Sequence, residues 1–197
     1  MTTAVPVLAN RVLPTSKTAG AAAVVGFAAI TALAAQVSFR IPPIEVPFTL
    51  QTMAVLMTGG VLGARRGALS QLLYLVAGAL GLPGFAERSS GMDTFAGPTA
   101  GYLVGFVVAA YLVGRLAERH HDRKVLSAFA AFLLGSLVIY GFGTIGLMAT
   151  RDLDFWGAVA VGVVPFVFWD VLKALAAGII MPSAWRLTGD KHPKPSP

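Results

Sequence analysis

The sequence predicts an all-α integral membrane protein: a compact bundle of six transmembrane helices with both termini in the cytoplasm. Three observations carry that prediction. The chain of 197 residues is 56% hydrophobic and only 12% charged, with a mean hydropathy of +0.74, whereas a soluble domain carries about a quarter charged residues. Its apolar residues gather into six stretches, near 19–39, 49–63, 67–82, 99–117, 125–149 and 156–181. About 20 apolar residues cross a bilayer as a helix, and fewer suffice where protein shields the ends. Finally, the cations alternate between connections. The N-terminal tail (Arg11, Lys17), the turn after the second stretch (Arg65, Arg66), the loop after the fourth (Arg115, Arg119, Arg123, Lys124) and the C-terminal tail (Arg186, Lys191, Lys194) hold most of the 15 Lys and Arg. The other three connections hold Arg40, Arg88 and Arg151, accompanied by Glu45, Glu87, Asp93, Asp152 and Asp154. An excess of cations on one side marks that side as cytoplasmic. The net charge of +6 therefore reports topology and not a nucleic-acid partner. The predicted organisation is a tail at 1–18, a bundle at 19–182 and a second tail at 183–197.

The first stretch is built from small residues, Ala21 to Ala23, Gly26, Ala28, Ala29, Ala32, Ala34 and Ala35. Ala28 and Ala32 have the small-xxx-small spacing that lets a second helix approach closely, so they are the expected docking face for a separate subunit. Ala32-Leu33-Ala34 resembles a signal-peptide cleavage site, but the apolar run continues through Phe39. A retained span is expected. The connection 40–52 contains Pro42, Pro43 and Pro47. These keep it out of a helix and stiffen it, and its mixed polarity suits a lid over a site.

Stretches two and three are separated only by Gly63-Ala64-Arg65-Arg66, which predicts a tight helical hairpin. The next connection, 82–98, is rich in Gly and Pro and carries Phe85, Arg88 and Phe95; it is long for an idle link in a compact bundle. Arg88 is a candidate anion contact. Tyr102 opens the fourth stretch, as an interfacial anchor or a hydrogen-bonding group for a ligand. Gly59/Gly63 and Gly101/Gly105 repeat the small-xxx-small spacing and predict close helix packing inside the bundle.

The last stretch carries the main chemical signal. Asp170 and Lys173 lie inside it, three residues apart, and positions i and i+3 share a helix face. Charges at bilayer depth cost several kcal/mol and mark a functional site by default; the bland reading is an ion pair that only fixes packing. Pro165, five residues earlier, frees backbone carbonyls beside the pair. Thr49, Gln51, Gln71, Tyr74, Tyr102 and Trp169 are the polar or aromatic groups available to surround it. Several motifs are missing. Without Gly-x-x-x-x-Gly-Lys-Ser/Thr the chain has no phosphate cradle for ATP. Gly141 to Gly146 matches G-x-G-x-x-G but lies inside an apolar stretch with no strand before it, which argues against a dinucleotide site. Without cysteine there are neither disulfides nor thiolate metal sites. The residues alone leave two transport readings open: a binding subunit powered by partners, or a stand-alone ion-coupled transporter with Asp170 as its coupling site.

Four segments in order carry a resemblance. Val46-Pro47-Phe48-Thr49-Leu50-Gln51-Thr52, Leu80 to Ala86, Gly97 to Phe106, and Pro165 to Ala174 are similar to the motifs of the BioY family, biotin-binding S-components of energy-coupling factor (ECF) transporters. Ala100 and Trp169 stand where the family pattern has glycine. The resemblance implies six helices, a site near the outer face of the cell membrane, and the 40–52 connection as its lid. It implies biotin as the transported ligand, no cofactor, and a transmembrane coupling subunit with two ATPase subunits as partners. Asp170 and Lys173 are then expected to take part in biotin binding, with Thr49, Gln51 and Tyr102 nearby and Arg88 at the ligand carboxylate.

Overall fold

The computed structural model describes residues 7–14 and 16–189; Asp190, Lys191 and Lys194 of the C-terminal tail lie outside the described residues. All six apolar stretches are helical at their centres; among the described residues a short helix also precedes the first stretch, and the last stretch is divided into two helices. In chain order these are α1 (Leu8–Val12), α2 (Lys17–Gln36), α3 (Gln51–Leu62), α4 (Ala64–Ala79), α5 (Ala100–Glu118), α6 (Val125–Arg151), α7 (Phe155–Gly162) and α8 (Val164–Leu187). Helices α2, α5, α6 and α8 are long and apolar enough to cross a membrane, whereas α3 has 12 residues and α4 has 16.

Helix α5 is central. In its most apolar window of 18 residues half are buried, against 17% in α2, so α2 lies on the periphery with most of its surface uncovered. What fixes α2 is a small set of polar bonds to α4: Ser70 donates to the Val24 carbonyl at 2.9 Å and Gln71 donates to Thr31 at 3.1 Å. Hydroxyl and amide groups satisfied in this way substitute for hydrophobic driving force where both sides are apolar.

Glycine sets the helix spacing. A Cβ at Gly59 would overlap the Ala110 carbonyl, and one at Gly101 would overlap the Phe142 carbonyl, so the backbones of α3, α5 and α6 touch directly. The α3–α4 hairpin turns on Gly63 at φ +84°, a conformation that costs glycine little. Arg65 and Arg66 sit just inside α4 and not in the turn. Beside this turn α1 buries Leu8 and Ala9, and Arg66 donates to Asn10 Oδ1 at 2.6 Å.

The last apolar stretch is two helices with a break at Val163. Pro165 has no N–H, which leaves the Val161 carbonyl without its i+4 donor. The Phe166 N–H turns to the Val163 carbonyl at 2.9 Å, so the Gly162 carbonyl also loses its helical donor and takes Tyr102 Oη–H at 2.7 Å. Helix α8 then runs past the expected boundary to Leu187. Its end is tied to the α5–α6 loop by the Trp185 indole N–H donating to Asp122. Burial pushes the Asp122 carboxyl above its ordinary pKa.

One departure from an all-helical reading matters for the site. The first stretch leaves the helix after Gln36, and β1 (Ser38–Phe39) pairs antiparallel with β2 (Phe48–Thr49) in the register Ser38–Thr49 and Phe39–Phe48. The aromatic pair stacks at 5.1 Å, and Phe48 stacks in turn on Phe166 of α8 at 4.4 Å. Aromatic contacts of this kind favour the strand geometry over continued helix.

Candidate functional site

A cavity of about 220 Å³ lies among α3, α5, α6 and α8, beneath the 40–47 segment and the α4–α5 connection. Each wall follows from a local feature. The β1–β2 ladder turns the proline-containing segment back over the helices and contributes Arg40, Val46 and Pro47. Two ion pairs hold it there: Arg40 grips both carboxylate oxygens of Glu87, and Arg151 at the end of α6 meets Glu45 at 2.7 Å. The α4–α5 connection folds into two 3-10 turns, Ala86–Arg88 and Met92–Ala96, and lends the cavity Phe85, Thr94 and Pro98 among others. Phe85 is buried edge-on against Tyr74 and Phe95 at 5.4 and 5.9 Å, which explains why this connection is long.

At the inner end of the cavity sits the charge pair. Lys173 Nζ lies 2.7 Å from Asp170 Oδ1, with the side chains 16% and 6% exposed. All three ammonium hydrogens are used: Nζ also donates to the Thr49 carbonyl at 2.6 Å and to Thr52 Oγ1 at 3.1 Å. Asp170 accepts two further bonds, from Thr52 Oγ1–H at 3.0 Å to Oδ1 and from Tyr140 Oη–H at 2.6 Å to Oδ2. A buried carboxylate needs such pairing, because desolvation offsets most of the ionic attraction. The network joins α3, α6 and α8 with the strand β2.

Thr49, Gln51, Tyr102, Asp170 and Lys173 all line the cavity, so the structure gathers five of the residues expected there. Thr49 reaches Lys173 through its backbone carbonyl, while its hydroxyl accepts the Gln51 N–H at 3.2 Å where α3 begins. The Gln51 amide donates to Tyr74 Oη at 2.7 Å, and its carbonyl oxygen has no bond among the described residues. Tyr102 is committed as a donor to Gly162 and keeps its acceptor lone pairs. Apolar lining comes from Leu103, Phe106, Ile139 and Phe166.

Two expectations are corrected. Arg88 is exposed and does not line the cavity; its backbone N–H donates to Gln36 Oε1 at 3.1 Å, and the arginine at the cavity mouth is Arg40. Ala28 is buried and Ala32 half-buried against the chain's own core, so this pair faces inward. The exposed small residues of α2 are Ala21, Ala22, Gly26 and Ala29; of these Ala22, Gly26 and Ala29 share a face of the helix different from that of Ala28. Tyr140 and Thr52, which the sequence does not mark as site residues, also belong to the site. Tyr140 is the lone tyrosine of its apolar stretch, the one sequence signal by which it could have been found.

Comparison with known proteins agrees with this geometry. The biotin transporter BioY of Rhizobium etli is 40% identical over 152 residues, covering 71% of this chain and 81% of that protein. The probable biotin transporter BioY of Pyrococcus horikoshii is 42% identical over 164 residues, 83% and 93% of the two chains. The biotin transporter BioY of Thermotoga maritima is 36% identical over 159 residues, 78% and 88% of the two chains. The fold is also that of a crystal structure of the S-component for biotin from an ECF-type ABC transporter. That match has a TM-score of 0.79 at 23% identity and covers 86% of this chain and 92% of that one. With the BioY family model matching residues 6–190 as well, this multi-pass membrane chain belongs to the BioY family.

Proposed function

We propose that this chain captures biotin as the substrate-binding S-component of an ECF-type ABC transporter, a transport subunit and not an enzyme. The observation that carries the reading is the Asp170 carboxylate, fixed by Lys173, Thr52 and Tyr140 at the wall of a lidded cavity. The ureido ring of biotin offers two N–H donors and one carbonyl. Asp170 and the unbonded Gln51 carbonyl accept such donors, and the hydroxyls around them supply donors in return. Leu103, Phe106, Ile139 and Phe166 suit the apolar thioether ring and valeryl chain.

Six membrane crossings, with α3 and α4 as a short hairpin and α7 and α8 as one interrupted span, are the topology proposed for this function. Charge alternation supports cytoplasmic termini; a reporter active only in the cytoplasm, fused at either end, checks it. The sequence has no phosphate-binding loop, so ATP hydrolysis falls to partner ATPases acting through a membrane-embedded coupling subunit. The exposed face of α2, with Ala22, Gly26 and Ala29, is the proposed docking surface for that subunit.

Biotin uptake into biotin-requiring cells, with and without the partner subunits, tests the proposal. Uptake should appear only when they are co-expressed. Protonophore-sensitive uptake without them would favour a stand-alone ion-coupled transporter using Asp170.

A further inference from the structure

Among the described residues two cations line the cavity, Arg40 at the mouth and Lys173 at the inner end, and they differ in what they have left to give. Lys173 donates to three acceptors, which is the full capacity of an ammonium group. A ligand carboxylate brought to that end would also meet Asp170. Arg40 uses Nε and one hydrogen of Nη2 on Glu87. A guanidinium has five N–H donors, so both hydrogens on Nη1 and the second on Nη2 make no bond among the described residues. These form the end-on fork, the geometry that takes a carboxylate bidentately.

Glu87 keeps that fork in place. It sits at φ 59° with Arg88 at φ 57°, and this left-handed turn is held by Gln36, which accepts from the Arg88 N–H at 3.1 Å and donates to the Phe85 carbonyl at 3.0 Å. The anchor for Arg40 is thus tied to the end of α2. Arg40 itself directly follows β1, so a bond from its fork to a ligand would join the covering segment to the cargo beneath it.

We infer that Arg40 reads the carboxylate of the bound ligand at the cavity mouth, with Glu87 as its positioning residue, so that biotin binds with its ureido ring inward and its valerate outward. This rests on the proposal that the cavity takes biotin. The test compares affinities of purified protein for biotin and for biotinamide, in which a neutral carboxamide replaces the carboxylate. Wild-type protein should prefer biotin by about five- to tenfold, the scale of one charge-assisted fork that is partly exposed. Arg40→Ala and Arg40→Gln should each bring the two ligands within about twofold by weakening biotin alone. Retained biotinamide binding shows that the variants are folded. Arg88→Ala should keep the preference. An unchanged preference in both Arg40 variants, or equal weakening of both ligands, overturns the assignment while leaving biotin binding intact. Wild-type protein that binds neither compound overturns the biotin reading and this inference together.

Discussion

At the scale of single residues, the energetics of the site turn on Asp170 being buried and on Lys173 being its counter-ion at 2.7 Å. Replacing Lys173 with Met keeps the length of the side chain but strands a buried carboxylate. That change should cost about 3 kcal/mol, whereas removing both charges, as in Asp170→Asn with Lys173→Met, should cost much less than the two single changes together. Thermal unfolding of detergent-solubilised protein measures the cycle, and additive losses would mean that the two groups do not stabilise each other. The pair was legible in the sequence because a charge inside an apolar stretch is costly and therefore rare. Tyr140 and Thr52 carry no such signal, since a hydroxyl within a span is common and cheap. The choice between Arg40 and Arg88 was equally hidden. Both lie in connections of the same side, and what separates them is the pairing of Arg40 with Glu87, 47 positions away in sequence.

At the scale of elements, periodicity and composition located each helix, while the ends were decided by contacts that neither encodes. The first apolar run reads as unbroken to Phe39, yet the chain leaves the helix after Gln36 because Phe39 stacks on Phe48 at 5.1 Å. Pro165 announced the break in the last stretch, and the backbone bookkeeping around Gly162 shows why Tyr102 sits where it does. Helix α2 shows the limit of spacing arguments. Small residues recur all round it, so i, i+4 pairs exist on several faces, and only packing against α4 shows that Ala28 looks inward. The face carrying Ala22, Gly26 and Ala29 is exposed along with Val25 and Leu33. Leucine at Ala22 and Gly26 should therefore abolish biotin uptake by the assembled transporter and leave biotin affinity of the isolated chain within about twofold, because bulk on that face blocks helix approach without reaching the cavity. Normal uptake in that double variant would move the docking surface elsewhere.

For the whole molecule, the arrangement divides labour between two ends. One end closes a cavity with a β-laddered segment and two ion pairs, Arg40 with Glu87 and Arg151 with Glu45. The other is held by Gly63, α1 and the Trp185 bond to Asp122. Between them the glycines of α3 and α5 bring the backbones of α3, α5 and α6 into direct contact. The membrane class and the position of the charged site could be read from hydropathy and charge alone; the cavity could not, because its walls come from four helices and two connections. The claim that joins these levels is that Asp170 holds biotin in that cavity. The most direct measurement is equilibrium biotin binding to purified wild-type protein and to Asp170→Asn, which keeps the size of the side chain and removes its charge. Wild-type protein should bind, and the variant should bind at least about tenfold more weakly, equivalent to about 1.4 kcal/mol; equal affinity in the two proteins would contradict the assignment of the site.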